Sequence, residues 1–130
     1  MAALIWIPLI LPLSLALVSS LRQRSSWTLW LPVSAAGVLL GVGVGLILAV
    51  GSDGPLTTGA GLLRVDALSA WMLTVVGAVA VVALWGGIPH RTGRSRNIGT
   101  FATLLCLFLA AMTLAVVADN IGLMWVAIEL

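Results

Sequence analysis

The sequence predicts an all-α integral membrane protein, a bundle of four complete transmembrane helices plus the start of a fifth. Of its 130 residues, 62% are hydrophobic and 8% are charged, whereas soluble domains carry about 25% charged residues. Four apolar segments approach or exceed the roughly 20 residues that a helix needs to cross a bilayer. Backbone groups in hydrocarbon must find partners within their own segment, so these segments are predicted to be helices.

The first predicted span covers residues 2–18, and a polar loop at residues 19–26 follows it with Arg22 and Arg24. A cleaved signal peptide is the alternative interpretation of this segment. Signal peptides carry basic residues before the apolar run and a small-residue cleavage site after it. Here the first basic residue comes after the apolar run, so we favour a retained helix.

The second predicted span, residues 27–50, contains a regular series of glycines. Gly37, Gly41 and Gly45 recur every four residues, which places them on one ridge of a helix. Small residues on such a ridge let a neighbouring helix approach closely. We expect this ridge to pack against another helix of the same chain, and a dimer contact is the alternative. The segment that follows, residues 51–66, is rich in turn-forming residues and is predicted to be a loop.

The third and fourth predicted spans cover residues 67–88 and 98–118. Asp66 directly precedes the third span, where a carboxylate can accept hydrogen bonds from the first free amides of a helix. Asp119 and Asn120 stand in the same position before a fifth apolar segment. We therefore predict that all three residues cap helices.

Basic residues collect in alternate loops, and this predicts an orientation. The loop at 19–26 carries two arginines, and the loop at 89–97 carries His90, Arg91, Arg94 and Arg96. Short loops rich in arginine and lysine face the cytoplasm. We therefore expect a multi-pass protein of the inner (plasma) membrane, with its N-terminus outside and both of these loops in the cytoplasm.

The composition argues against several kinds of site. The net charge of +2 comes without the basic face that nucleic-acid binding needs. Cys106 is the only cysteine, and one cysteine cannot ligate an iron–sulfur cluster, which generally needs four. No His, Cys, Asp and Glu residues show metal-ligand spacing. We therefore expect no nucleic-acid partner, no metal, no cofactor and no redox centre.

Glu129 is the one ionisable residue predicted to lie deep within a span. It follows Asp119 by ten residues, a helical rise of about 15 Å, or half of a hydrocarbon core about 30 Å thick. An intramembrane carboxyl is costly and usually faces a cavity or a partner. If a cation approaches and leaves such a carboxyl, its proton affinity switches. We therefore predict a proton relay, and a protonated structural carboxyl between helices is the alternative.

Two stretches together resemble one protein family. LLRVDALSAWM, residues 62–72, is similar to the segment before the third helix of proton-pumping, antiporter-like subunits. These subunits occur in respiratory complex I, Mrp-type cation/proton antiporters and membrane-bound hydrogenases. FATLLCLFLAAMTLAVVADNIGLMWVAIEL, residues 101–130, resembles their fourth helix and the start of the fifth. The second stretch is most similar to hydrogenase-4 and formate-hydrogenlyase subunits. Core complex I subunits tend to carry a Trp-Glu pair where this chain has Ile128 and Glu129.

The resemblance implies an architecture and a role. Family members have about fourteen helices, with two inverted repeats that each contain a broken helix. A carboxylate on the fifth helix pairs with a lysine on a later helix and gates proton movement, and Glu129 matches that carboxylate. Residues 1–130 are then a single transmembrane region, the N-terminal portion of a larger subunit. An end at Leu130 leaves helix carbonyls unpaired within the bilayer, so we expect the natural reading frame to continue.

The implied partners are the remainder of the same subunit, other membrane subunits of the parent complex, the lipid bilayer and protons, with Na⁺ as an alternative ion. Any oxidoreductase activity belongs to partner subunits. Two other functions stay open. The chain resembles small four-helix multidrug transporters in size, but their key glutamate lies in the first helix and residues 2–18 hold no acid. A structural or assembly protein of the membrane is the third hypothesis.

Overall fold

The computed structural model describes residues 3–21, 26–58, 61–91 and 98–129. Most of these residues are helical. In chain order the elements are α1 (Ala3–Leu21), a 3₁₀ turn (Ser26–Leu29), α2 (Trp30–Asp53), β1 (Leu56–Thr58), β2 (Leu63–Val65), α3 (Ala67–Arg91), α4 (Ile98–Val117) and α5 (Ile121–Glu129).

Three helices are long and apolar enough to cross a membrane, namely α2 with its preceding turn, α3 and α4. Many of their apolar side chains face outward, and Leu48, Trp71 and Val82 are 71%, 60% and 73% exposed. Apolar surface of this extent marks contact with a membrane or with other proteins. The apolar part of α1 that the structure describes is shorter, Ile5–Leu21. Three of the four predicted complete spans therefore correspond to helices with the length and composition to cross a membrane.

The helices pack mainly as two pairs. α2 lies along α3, and α1 lies along α4, while α1 also contacts α2 and α5 packs on α4. Buried side chains from both pairs meet in one apolar core, which includes Leu39 and Leu46 of α2, Leu73 of α3 and Leu109 of α4. α3 and α4 contact each other much less, so a groove separates them on one side of the bundle.

Three helices extend further than the sequence predicts. α1 continues to Leu21, α2 to Asp53 and α3 to Arg91, so parts of the predicted loops 19–26, 51–66 and 89–97 are helical. In α1 the Ser19 and Ser20 hydroxyls donate to carbonyls three residues earlier, at 2.8 and 2.7 Å. Such bonds satisfy a polar side chain without ending the helix. Residues 22–25 and 92–97, which include Arg22, Arg24, Arg94 and Arg96, lie outside the described residues.

The prediction of a loop between α2 and α3 is wrong, because this segment contains a β-hairpin. β1 and β2 pair antiparallel, with Leu56 opposite Val65 and Thr58 opposite Leu63. Leu63 and Val65 are buried and the residue between them is exposed, as expected for alternate sides of a strand. Strands of three residues are too short for this alternation to stand out among turn-forming residues.

Two glycines allow the chain to enter and turn within this hairpin segment. Gly54 has a φ of +82° and Gly61 a φ of +87°, which glycine adopts without a steric penalty. The Gly54 N–H also donates to the Val50 carbonyl at 3.0 Å and so closes the end of α2. The hairpin therefore starts directly where α2 stops.

Candidate functional site

The candidate site begins where α4 stops and α5 starts. Ala118 forms an antiparallel bridge with Leu63 of β2. The Asp119 N–H donates to the Leu62 carbonyl at 2.9 Å. The Ala118 N–H still donates to the Leu114 carbonyl at 2.9 Å, so the hairpin takes the place of helical pairing from Asp119 onward.

Asn120 caps α5. Its Oδ1 accepts a hydrogen bond from the Gly122 N–H at 2.8 Å, and its carbonyl accepts one from the Met124 N–H at 3.0 Å. A side-chain oxygen that bonds the second amide of a helix is the usual N-cap arrangement. The side chain of Asp119, its predicted partner in capping, is exposed. Asn120 therefore supplies the side-chain cap, and Asp119 contributes its backbone amide.

Asp66 caps α3 at the same end of the bundle. Its Oδ1 accepts the Ser69 N–H at 2.8 Å. This bond, together with the nearby Arg64 charge, holds the pKa of Asp66 below its usual range. The Ser69 hydroxyl in turn donates to the Val116 carbonyl at 3.1 Å. The cap of α3 is thus joined to the last turn of α4, directly beside the start of α5.

Glu129 lies on the outward side of α5. The helix packs inward through Ala127, which is buried, whereas Trp125 and Ile128 are 63% and 68% exposed. Glu129 is exposed as well. Arg64 is the only basic residue whose side chain the structure describes, and it belongs to the hairpin at the opposite end of α5. The described part of the chain therefore presents a carboxyl surrounded by apolar groups and places no cation beside it.

The predicted glycine ridge does not face a described helix. A methyl group added at Gly37, Gly41 or Gly45 meets no atom within 4 Å. The close approach of α2 and α3 occurs at Gly43 and Gly77 instead. A Cβ at Gly43 would lie 2.6 Å from the Thr74 hydroxyl and 2.8 Å from the Thr74 nitrogen.

Gly77 makes the reciprocal contact. A Cβ at Gly77 would lie 2.6 Å from the backbone nitrogen of Leu40 on α2. Sequence reasoning missed both contact glycines, although Gly43 stands between two members of the predicted series. A spacing of four residues defines a ridge, but it does not say which neighbour the ridge faces.

Among the described residues, no group of three His, Cys, Asp or Glu side chains could hold a metal ion, and Cys106 is buried in α4. Comparisons with family profiles, curated proteins and solved structures gave no match. The fold and site define a class, a mostly helical protein with three helices long and apolar enough to cross a membrane and one carboxyl on the otherwise apolar α5.

Proposed function

We propose that the chain is the N-terminal portion of a membrane proton-translocating subunit of a complex-I-like oxidoreductase or membrane-bound hydrogenase complex. The observation that carries this proposal is the carboxyl of Glu129 on the outward, apolar side of α5. The resemblance of residues 62–72 and 101–130 to antiporter-like subunits supports it, because Glu129 matches the fifth-helix carboxylate of that family. In this proposal Glu129 relays protons.

The proposed topology includes α1 as a fourth complete span. Its 19 residues rise about 28 Å, and none of them is charged. Transmembrane helices tolerate prolines, such as the Pro8 and Pro12 that α1 contains. With the N-terminus outside the inner membrane, alternation places the hairpin and the α4–α5 junction outside too. Their mutual hydrogen bond agrees with this placement.

The proposed chemistry depends on the depth of Glu129. From Ile121 to Glu129, α5 rises about 12 Å, which approaches the middle of a hydrocarbon core about 30 Å thick. An unpaired carboxylate is unfavourable at that depth. A cation that approaches Glu129 favours the charged form and releases the proton, and its departure favours reprotonation. In this proposal the cation is a lysine from a later helix that packs on the exposed side of α5.

The test is proton uptake by membrane vesicles that contain the parent complex, energised with NADH or with hydrogen and followed with a pH-sensitive dye. Glu129→Gln keeps the size of the side chain but cannot titrate. We expect the initial rate of proton uptake to fall at least tenfold, by analogy with the loss of a general acid–base group. Glu129→Asp, which retains a carboxyl, should keep part of the rate.

Asp119→Asn is the matched control. It removes the other carboxyl of this region but keeps the backbone N–H that bonds Leu62, so proton uptake should be unchanged. If Glu129→Gln pumps like the wild type at matched expression, Glu129 is not the relay. That result would favour the structural or assembly role.

A further inference from the structure

Apolar packing fixes the rotation of α5 only weakly. Within the described residues 121–129, Ala127 is the one buried side chain, and Leu123 is partly buried against the apolar core. The other side chains of this helix are exposed, and Glu129 is the polar one among them. Lipid tails are as apolar as these side chains, so a helix of this composition gains little from one rotation over another. Its position is therefore set largely at its start.

Two hydrogen bonds define that start. The Asn120 Oδ1 accepts the Gly122 N–H at 2.8 Å, which makes Asn120 the N-cap. One residue earlier, the Asp119 N–H donates to the Leu62 carbonyl of the hairpin at 2.9 Å. The first bond selects the residue at which α5 begins, and the second holds the preceding residue against the hairpin.

The residues before this start are held as well. Ala118 forms an antiparallel bridge with Leu63, whose side chain is 4% exposed. The Ser69 hydroxyl of α3 donates to the Val116 carbonyl at 3.1 Å. Residues 116, 118 and 119 therefore all contact the hairpin or α3, so the point from which α5 starts is fixed relative to these elements.

A different start would turn Glu129 around the helix. Aspartate caps helices about as well as asparagine, so Asp119 is a competing cap one residue earlier. With Asp119 in the cap position, every residue of α5 would advance by one place, a rise of about 1.5 Å and a turn of about 100°. The place that Glu129 would then take lies three positions after Ala127 and seven after Leu123. Residues at this spacing share one face of a helix, so the carboxyl would turn toward α4.

We propose that Asn120 is a positioning residue for the proton relay, and that it keeps Glu129 on the outward side of α5 by capping the helix directly after the hairpin contact. Asn120 lies nine residues before Glu129, a rise of about 14 Å, so it acts through the helix and not by contact with the carboxyl. Misplacing a reacting group by about 1 Å can slow a reaction on the order of a hundredfold. The inference rests on the proposed function, in which Glu129 relays protons, but the direction of its side chain can be measured without proton transport.

The test labels Glu129 with dicyclohexylcarbodiimide, a lipid-soluble reagent that adds to protonated carboxyls, in membranes of cells that express the full chain. Mass spectrometry of the peptide that carries residue 129 gives the labelled fraction. Asn120→Ala removes the cap oxygen, and we expect labelling to fall about fivefold, the population ratio that one N-cap sustains. Asn120→Asp keeps a cap oxygen and should label like the wild type. Proton uptake, measured as for Glu129→Gln, should fall in Asn120→Ala and recover in Asn120→Asp.

Asp119 supplies the matched controls. Asp119→Ala keeps the N–H that bonds Leu62 and leaves the Asn120 cap in place, so labelling should be unchanged. In the double variant Asp119→Ala and Asn120→Ala, the competing cap is removed too, and labelling should rise above that of Asn120→Ala. Fraying of α5 would not be reversed by a second substitution.

Three results would overturn the positioning role. They are a wild-type Glu129 that does not label, an Asn120→Ala variant that labels like the wild type, and a double variant that labels no better than Asn120→Ala. Glu129→Gln decides the proposed function separately. Normal proton uptake in that variant would remove the relay and leave the labelling result intact.

Discussion

One serine at the start of α3 takes part in two different contacts. The Ser69 N–H bonds the Asp66 carboxylate, and its hydroxyl bonds the Val116 carbonyl on α4. Because the cap holds Ser69 in the first turn of α3, it also holds the hydroxyl that reaches α4. Asp66 therefore stabilises a helix end and the contact between two helices.

Replacing Asp66 tests this double role. Asp66→Ala should lower the free energy of unfolding by about 1 kcal/mol, the usual cost of a lost N-cap. Asp66→Asn keeps an oxygen that can accept the Ser69 N–H and should lose much less. Unfolding in mixed detergent–SDS micelles, followed by circular dichroism, measures both. Equal losses in the two variants would show that the cap oxygen is unimportant.

The contribution of Asp66 also depends on pH. Its pKa is lowered in the folded protein, first by the Ser69 backbone hydrogen bond, so the unfolded chain takes up the proton first as the pH falls. The stabilisation is therefore present above the unfolded-state pKa and is lost as the pH drops through the folded-state value. Unfolding measurements from neutral pH to about pH 3 should show a loss of stability that Asp66→Asn lacks.

Helix capping and the proposed proton relay differ in the sequence separation of the groups that they require. Asp66 and Asn120 bond amides within three residues, so their roles can be proposed from the sequence alone. The proposed relay at Glu129 requires a cation from another part of the protein, and the sequence around Glu129 says nothing of it. The side chain of Asp119 looked equivalent to Asn120 in the sequence, but its amide is the group that bonds the hairpin.

At the scale of helices, α2 and α3 fit together through two reciprocal glycine contacts. Gly43 of α2 lies against Thr74 of α3, and Gly77 of α3 lies against Leu40 of α2. Both contacts involve backbone atoms, which cannot move aside as a flexible side chain can. α2 and α3 therefore pack more closely than larger side chains at positions 43 and 77 would permit.

Gly77→Ala tests this fit. Its new methyl group would lie within 3 Å of the Leu40 backbone, and we expect a loss of about 1–3 kcal/mol in the free energy of unfolding from overpacking. Gly41→Ala is the matched control, since its methyl group meets nothing within 4 Å. That variant should be unchanged or slightly more stable, because alanine favours helices over glycine. Similar losses in both variants would contradict the packing.

At the scale of the whole molecule, contacts at two ends hold α4 to its neighbours. At one end the hairpin and Ser69 join α3 to the α4–α5 junction. At the other end, the hydroxyls of Ser19 on α1 and Thr103 on α4 lie 2.8 Å apart. The predicted topology places these two ends on opposite sides of the membrane, with the hairpin outside.

Cysteine labelling tests that topology. In a Cys106→Ala background, Thr57→Cys marks the exposed face of the hairpin and Ser95→Cys marks the arginine-rich segment. A membrane-impermeant maleimide should label Thr57→Cys on intact spheroplasts, and Ser95→Cys only after permeabilisation. The reverse pattern would mean that the arginine-rich segment faces outside, against the positive-inside rule.

The sequence predicted helices well where a long apolar segment is enough to identify a helix, as in α2, α3 and α4. It missed the hairpin, because β1 and β2 depend on pairing with each other and with Ala118. It also missed the groove, since a gap between α3 and α4 follows from how each helix packs on a different partner. Residue patterns along one segment predict the secondary structure of that segment. The hairpin and the groove depend on contacts between different segments, which such patterns do not describe.

The hairpin also constrains the order in which the protein is made. β2 pairs with β1 on one side and with Ala118 on the other, and the ribosome makes Ala118 more than fifty residues after β2. During that interval one edge of β2 is open, with unpaired backbone groups that could bind another chain. The edge closes only once α4 has been synthesised. Nascent chains that stall before residue 118 are therefore the ones most exposed to mispairing.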